Sequence, residues 1–230
     1  MRVAELAALD SDARPRLFDG LETSEIKAAL AAARQCQFPA GSIVAAQGTP
    51  ADSLFLIARG RARFFLLTPD GHKALLMWLP EGEVFGVAAM QCRPSDYIVS
   101  TETVRDSTIF VWDRPTIRRL ALRYPQLVEN ALLTASEYLS FYVATHIALT
   151  CHTAEERLAA VLLNLAQGIG RPLADGVELN VSNEELAEAA NVTHFTASRL
   201  LSEWQRKGAL VKTRGKVLLR FPERLAVSSH

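Results

Sequence analysis

The chain has 230 residues, 49% hydrophobic and 22% charged, and its 25 basic and 25 acidic side chains give a formal net charge of +0. That is enough apolar material for one large packed domain or two ordinary ones, and no apolar run reaches the roughly 18 to 20 residues that a membrane span needs. The N-terminal "MRVAELAALDSDARPR" is too polar for the apolar core of a secretory signal, so the expected setting is soluble and cytoplasmic.

Residues 38–112 are punctuated by glycine at 41, 48, 60, 71, 82 and 86, with short runs "SLFLIA", "ARFFLL", "ALLMWL" and "STIFVW" between them. Closed by "PDG" at 69–71 and "PEGE" at 80–83, these runs predict strands joined by tight turns, in a β-sandwich or roll. Several are too continuously apolar for periodicity alone to establish a strand, so the glycine spacing carries more of the inference.

After "YPQ" at 124–126 the residues Val128, Leu132, Ala135, Leu139, Tyr142, His146 and Leu149 step by 4 and 3 in alternation, a heptad seam. The seam predicts a helix lying against its twin in a homodimer; a single helix packed on its own roll is the alternative. Thr153 with Glu156 then forms a capping-box pair ahead of "RLAAVLLNLA", and Ser182 with Glu185 another ahead of "EELAEAANV". Thr193 opens an amphipathic helix over "HFTASRLLSEW", completing a helix-turn-helix, and "ALVKT-RGK-VLLR" alternates around a turn as a two-stranded wing.

Charge is unevenly placed. From Phe195 to the C-terminus there are eight basic residues (Arg199, Arg206, Lys207, Lys212, Arg214, Lys216, Arg220, Arg224) against two acidic ones (Glu203, Glu223), whereas Asp175, Glu178, Glu184, Glu185 and Glu188 run with no basic residue among them. A neutral chain with a basic end fits a nucleic-acid reader joined to a neutral sensor. The three cysteines, Cys36, Cys92 and Cys151, are scattered and suggest neither a disulfide framework nor a zinc ribbon; ordinary buried or half-buried thiols are expected. No His-x-His, paired-carboxylate or nucleophile-elbow pattern marks the roll as an enzyme.

The string "QGTPADSLFLIARG" at 47–60, "PEGEVFG" at 80–86 and "SNEELAEAANVTHFTASRLLSEWQRKGAL" at 182–210, in this order with a heptad helix between, resemble the cyclic-AMP receptor protein/FNR (CRP/FNR) family of bacterial transcription regulators. The resemblance implies an α+β chain with a cyclic-nucleotide-binding-like β-roll at 1–115, a dimerisation helix at 116–150 and a winged helix-turn-helix domain at 151–230. It implies a homodimer on a two-fold symmetric duplex site, with RNA polymerase as a further partner. An effector would favour one arrangement of the dimer helices.

On the DNA side, the family commonly carries glutamate where this chain has Phe195, and a serine-arginine pair where it has Ser198 and Arg199. Arg199 can give two hydrogen bonds to a guanine, and Ser198 can serve a neighbouring base or phosphate. Phe195 either lies on a thymine methyl or packs back on its own domain. His194, Arg214 and Lys216 are expected to contact phosphate.

On the sensor side, the family's ribose-binding glutamate falls at Val87 and its phosphate-binding arginine at Tyr97, so cyclic AMP is not the expected effector; Arg93 is the one nearby substitute. Phe85, Gly86, Val87, Met90, Tyr97, Tyr142 and Val143 would line an apolar pocket suited to a hydrophobic ligand or haem, or would simply fill a core. Three cysteines cannot supply the four thiolates of an iron-sulfur cluster. No cofactor is therefore expected, although His146 or His72 offers an axial ligand for haem. Two alternatives stand beside the main reading: a haem-based sensor of NO, CO or O2, and a binding module whose DNA reading has degenerated.

Overall fold

The computed structural model describes residues 15–68, 71, 73–213 and 215–225. The chain divides into two compact units, Met1–Ser140 and Phe141–His230.

Among the described residues, the first unit contains a 3-10 turn at Arg16–Phe18 and helix α1 (Thr23–Ala31), followed by β1 (Arg34–Phe38), β2 (Ile43–Ala45), β3 (Ser53–Arg59), β4 (Ala62–Leu67), β5 (Lys73–Leu79), β6 (Val84–Phe85), β7 (Ser100–Thr103) and β8 (Ser107–Asp113). The four apolar runs singled out in the sequence are β3, β4, β5 and β8. The strands form two antiparallel sheets, ordered β1-β8-β3-β6 and β2-β7-β4-β5. Pro69, Asp70 and His72, in the expected turn, lie outside the described residues.

The continuous apolar character of β3 and β8 has a packing cause. Leu54, Leu56, Ala58, Phe110 and Trp112 face a helical layer with Phe18, Ile26, Leu30 and Ile117, while Phe55, Ile57, Ile109 and Val111, with Phe85 of the same sheet, face Ala62, Phe64 and Leu79 of the other sheet. Strands buried on both faces lose the alternation that marks a half-exposed sheet. Each fully buried large side chain contributes about 1.5–3 kcal/mol of apolar burial. The Trp112 indole also satisfies its donor, giving a 2.7 Å hydrogen bond to the Ala29 carbonyl.

Two glycines of the family-like strings are sterically required. Gly60 has φ +105°, and a Cβ there would lie 2.8 Å from the Ser107 Cα; Gly86 has φ +76°, and a Cβ there would lie 2.5 Å from the Ser53 carbonyl oxygen. Gly86 thereby turns the chain from β6 into a 3-10 turn at Val87–Met90.

Two helices follow the roll. Helix α2 (Arg114–Arg123) is capped by Asp113, whose carboxylate accepts a 2.9 Å bond from the Thr116 amide, and has Pro115 in its first turn. It stops at Tyr124, before Pro125, because a residue preceding proline is pushed out of the helical region. Helix α3 (Gln126–Cys151) then runs 26 residues, with the division between the units falling inside it. Its inner side in the first unit carries buried Leu127, Asn130, Ala131 and Thr134. The Asn130 amide donates to the Leu17 and Asp19 carbonyls at 2.9 and 2.8 Å.

The second unit contains α4 (Ala154–Ile169), β9 (Arg171–Leu173), β10 (Gly176–Leu179), α5 (Asn183–Ala189), α6 (His194–Arg206), β11 (Leu210–Thr213) and β12 (Lys216–Leu219). Both expected capping boxes are formed, Thr153 with Glu156 and Ser182 with Glu185. The wing pairs Thr213 with Lys216 across its turn, but the sheet has four strands, β11-β12-β10-β9, rather than the expected two. Leu158, Leu162, Leu186, Leu200, Leu201, Trp204 and Leu219 are among its buried residues.

No helix among the described residues is long and apolar enough to cross a membrane. Cys36 is half-buried as expected, whereas Cys92 and Cys151 are exposed, correcting the expectation for those two.

Candidate nucleic-acid interface and sensor interior

The turn between α5 and α6 is held from three directions. Asn191 adopts φ +48°, which an asparagine tolerates better than most residues, and the Val192 amide bonds back to the Ala187 carbonyl at 3.0 Å. From α4, the Arg157 guanidinium donates to the Ala190 and Asn191 carbonyls at 2.9 and 3.2 Å. Thr193 caps α6, its hydroxyl accepting the Thr196 amide at 3.1 Å.

With the entry fixed, the 3.6-residue period decides what α6 presents. Ala197, Leu200, Leu201 and Trp204 are buried against the domain, and Phe195, Arg199, Ser202 and Arg206, at steps of 4, 3 and 4, form the opposite face. Phe195 is 78% exposed, so its ring does not pack back on its own domain. His194 is exposed in the first turn and Ser198 is half-buried.

Arg199 lies 3.9 Å from the Glu203 carboxylate, which also takes Lys207 at 3.1 Å. The hydrogen bond from Lys207 is the main cause that holds the Glu203 carboxyl below its ordinary range. Because the Arg199 side chain stays 60% exposed, this loose pair orients the guanidinium without removing it from solvent.

The wing meets the helix at Lys212. Its ammonium donates to the Ser202 hydroxyl at 3.0 Å and its backbone amide to the Gln205 side chain at 3.0 Å. In the sequence Lys212 is only one basic residue among eight; strand-to-helix packing puts it beside the outward face of α6. Lys216, expected on phosphate, is 3.1 Å from Glu178, and Arg220 is 3.0 Å from Asp175. Part of the acidic run upstream is thus folded onto the basic end. Arg214 lies outside the described residues.

On α3, the expected seam lies on the outward side of the first unit: Val128, Leu132 and Leu139 are exposed and Ala135 is half-buried. Leu133 is exposed as well. In the second unit His146 is exposed, Tyr142 is half-buried with its ring edge on Phe141, and the exposed apolar residues are Val143 and Ile147, one position on from the seam. The shift is in the direction in which a 3.6-residue helix drifts against a strict 3.5 repeat, by about 20° per heptad. The side chain of Leu149 lies outside the described residues.

Of the residues expected to line an effector pocket, those of the first unit divide between two clusters. Phe85 and Tyr97 belong to the inter-sheet cluster, with Phe85 stacked on Phe55 at 4.8 Å and edge-on to Phe64 at 6.1 Å. Val87 and Met90 pack against the helical cluster instead, because the left-handed turn at Gly86 sends them to the other side of the sheet. Tyr142 and Val143 belong to the second unit.

Tyr97 is tied to the backbone: its hydroxyl donates to the Ser53 carbonyl at 2.9 Å and accepts the Ser53 amide at 3.0 Å. Burial raises its ionisation above the ordinary tyrosine value, against the lowering effect of the Ser53 hydrogen bond. Arg93 is exposed on the following segment, and Arg114 pins that segment through the Gln91 and Cys92 carbonyls at 2.7 and 3.3 Å.

Tyr138 was missed in the sequence because the heptad reading assigned only the outer side of α3. Its ring stands edge-on to Phe64 at 5.7 Å, and its hydroxyl reaches Glu83 at 3.0 Å and the Val84 carbonyl at 2.8 Å. Burial is the main effect on Glu83 and raises its carboxyl above the ordinary range, with the Tyr138 hydrogen bond opposing. Among the described residues no group of three His, Cys, Asp or Glu side chains is placed to hold a metal.

Comparison with known proteins matches residues 35–124 to the cyclic nucleotide-binding domain family and residues 156–227 to the Crp-like helix-turn-helix domain family. The chain is 27% identical over 217 residues to a "CRP-like cAMP-activated global transcriptional regulator" of Mycobacterium tuberculosis, covering 93% of this chain and 96% of that protein. It is 28% identical over 205 residues to the "Cyclic AMP receptor protein" of Thermus thermophilus, covering 89% and 92% of the two chains. Among solved structures, FixK2 from Bradyrhizobium japonicum aligns with a TM-score of 0.74 at 20% identity, over 86% of this chain and 99% of that one, a likeness of fold.

Proposed function

The chain belongs to the CRP/FNR family of DNA-binding transcription regulators, which are not enzymes, and from that premise we propose that it works as a homodimer reading a two-fold symmetric duplex site without cyclic AMP. The observation that carries the reading is the outward face of α6, where Phe195, Arg199, Ser202 and Arg206 share one side and the opposite side is locked into the domain. A helix held this way can enter the major groove with its first turns on base edges. Arg199 supplies the base contact, two parallel hydrogen bonds to guanine O6 and N7, and Ser198 serves a neighbouring base or phosphate. His194 and Lys212 favour the adjacent phosphates, with Lys216 in the wing as a further contact.

Dimerisation is supported by the row of exposed apolar side chains on α3, since a contiguous apolar stripe of this kind calls for a partner. In a dimer the two α6 helices would read half-sites about one helical turn apart.

The relatives from Mycobacterium tuberculosis and Thermus thermophilus are named for cyclic AMP. Against carrying that effector over stand Val87 and Tyr97 at the family's glutamate and arginine positions. The Tyr97 hydroxyl is already committed to Ser53 through both its proton and a lone pair. A cyclic phosphate set beside it would lose its hydration without gaining a cation, a cost of several kcal/mol. The aromatic interior of the roll, with Phe55, Phe64, Phe85 and Tyr138 in contact, supports a sensor half that holds its shape without a nucleotide.

The test is binding of the ligand-free full-length protein to its preferred duplex, compared with Arg199→Ala. Arg199→Ala is expected to lose about 1–3 kcal/mol of discrimination at a single guanine in each half-site. An unchanged base preference in the variant, or a tenfold gain in affinity on adding cyclic AMP, would refute the reading.

A further inference from the structure

Phe195 is the one large aromatic side chain on the outward stripe of α6, and its environment is unusual for an exposed ring. The other exposed phenylalanine among the described residues, Phe221, has the Arg224 guanidinium over its face at 4.4 Å. Phe195 stands 78% exposed on the same stripe as Arg199, with Arg206 further along it and Lys212 docked beside it through Ser202. Its backbone is fixed by the Thr193 cap, and the hydroxyls of Thr193 and Thr196 bond at 2.9 Å, so the ring projects from a rigid first turn. An apolar ring held in water amid basic groups fits an apolar feature on a polyanion.

In the major groove of duplex DNA that feature is the methyl group on pyrimidine C5. We propose that Phe195 reads the C5-methyl group of a pyrimidine close to the guanine read by Arg199, so that affinity for the duplex depends on that methyl. Phe195 and Arg199 are four residues apart, about 6 Å along the helix axis, which corresponds to roughly two base-pair steps of about 3.4 Å. Glutamate at this place would accept from the cytosine amine and so choose cytosine by its hydrogen-bonding edge. A phenyl ring has no acceptor, so it cannot tell the O4 of thymine from the N4 of cytosine. The methyl alone is read, and thymine and 5-methylcytosine present the same one.

Resting on the assignment of α6 as the DNA reader, this can be tested separately from it. The purified full-length protein is titrated into duplexes of its selected consensus that carry thymine, uracil, cytosine or 5-methylcytosine at the position two steps from the guanine. Thymine and 5-methylcytosine are expected to bind equally. Uracil and cytosine are expected to bind about fourfold more weakly per half-site, the effect of one buried methyl, and roughly fifteenfold more weakly with both half-sites changed. Phe195→Ala, at an exposed position, should erase the thymine-uracil difference while keeping the guanine preference and the melting temperature. Phe195→Glu should turn the preference to cytosine, methylated or not. Equal binding of thymine and uracil by the unaltered protein overturns the proposal, as does a thymine-uracil difference that survives Phe195→Ala. In both cases the guanine preference is retained. Loss of every sequence preference in the unaltered protein overturns the DNA-reading assignment, and the methyl reading with it.

Discussion

Replacing Tyr97 with phenylalanine removes one oxygen and leaves the ring, so it isolates the anchoring of the segment that follows the Gly86 turn. The hydroxyl gives one hydrogen bond to the Ser53 carbonyl and takes one from the Ser53 amide, at 2.9 and 3.0 Å, in a half-buried setting. Each such bond contributes about 0.5–1.5 kcal/mol net, and the backbone groups it leaves behind regain only part of their solvation. Tyr97→Phe should therefore cost about 1–2 kcal/mol. In a unit of this size that lowers the melting temperature by roughly 3–8 °C.

A second signature follows from ionisation. Burial raises the Tyr97 hydroxyl above its ordinary value of about 10, so the folded state holds this proton more tightly than the unfolded state. Its contribution is intact below about pH 10 and is lost as pH rises from there through the folded-state value. Tyr97→Phe should flatten that alkaline decline. Thermal melts of the two proteins between about pH 7 and pH 11 provide the assay, bracketing the ordinary tyrosine value. Equal melting temperatures at neutral pH with parallel declines on the alkaline side would refute the anchoring role.

Glu83 titrates in the opposite sense from a paired carboxylate. Its folded-state value is raised chiefly by burial, so stability from this group is greatest below the ordinary glutamate range and declines as pH rises through the folded-state value. Glu83→Gln keeps an acceptor for Tyr138 and should raise the melting temperature at about pH 7 relative to about pH 4.5, measured by calorimetry at both. On α3, replacing exposed Leu132 and Leu139 by glutamate sets like charges along the outward row. Sedimentation should then report a monomer whose circular dichroism is unchanged and whose affinity for a two-fold symmetric duplex is at least tenfold weaker. A Gly86→Ala change forces a Cβ toward the Ser53 carbonyl at a positive φ and should destabilise the protein by about 1–3 kcal/mol in urea unfolding.

Much of the fold was legible in the sequence, for identifiable reasons. The glycines at 60 and 86 stand where the chain requires a left-handed or close-packed backbone, and the capping boxes at Thr153 and Ser182 state helix starts in four residues each. The outward row on α3 could be read because one side of a helix repeats in sequence. What the sequence concealed depends on packing between distant segments. Residues 85 and 87 are close neighbours in the chain, yet the turn at Gly86 puts them in different cores. Tyr138 lies one residue before Leu139 and therefore turns inward, and its partners Phe64 and Glu83 are more than fifty residues away. Lys212 reaches the outward face of α6 through Ser202, a contact that no local pattern announces, and the charge count could not show that Glu178 would take up Lys216.

The central claim, that α6 reads base sequence in a dimer needing no nucleotide, meets its most direct test in selection. Ligand-free full-length protein would be incubated with randomised duplexes at a stated salt concentration, and the retained pool sequenced. The account predicts a palindrome with a guanine in each half and half-sites about one helical turn apart. Retention of no sequence above background, or of a palindrome only when cyclic AMP is added, would contradict it.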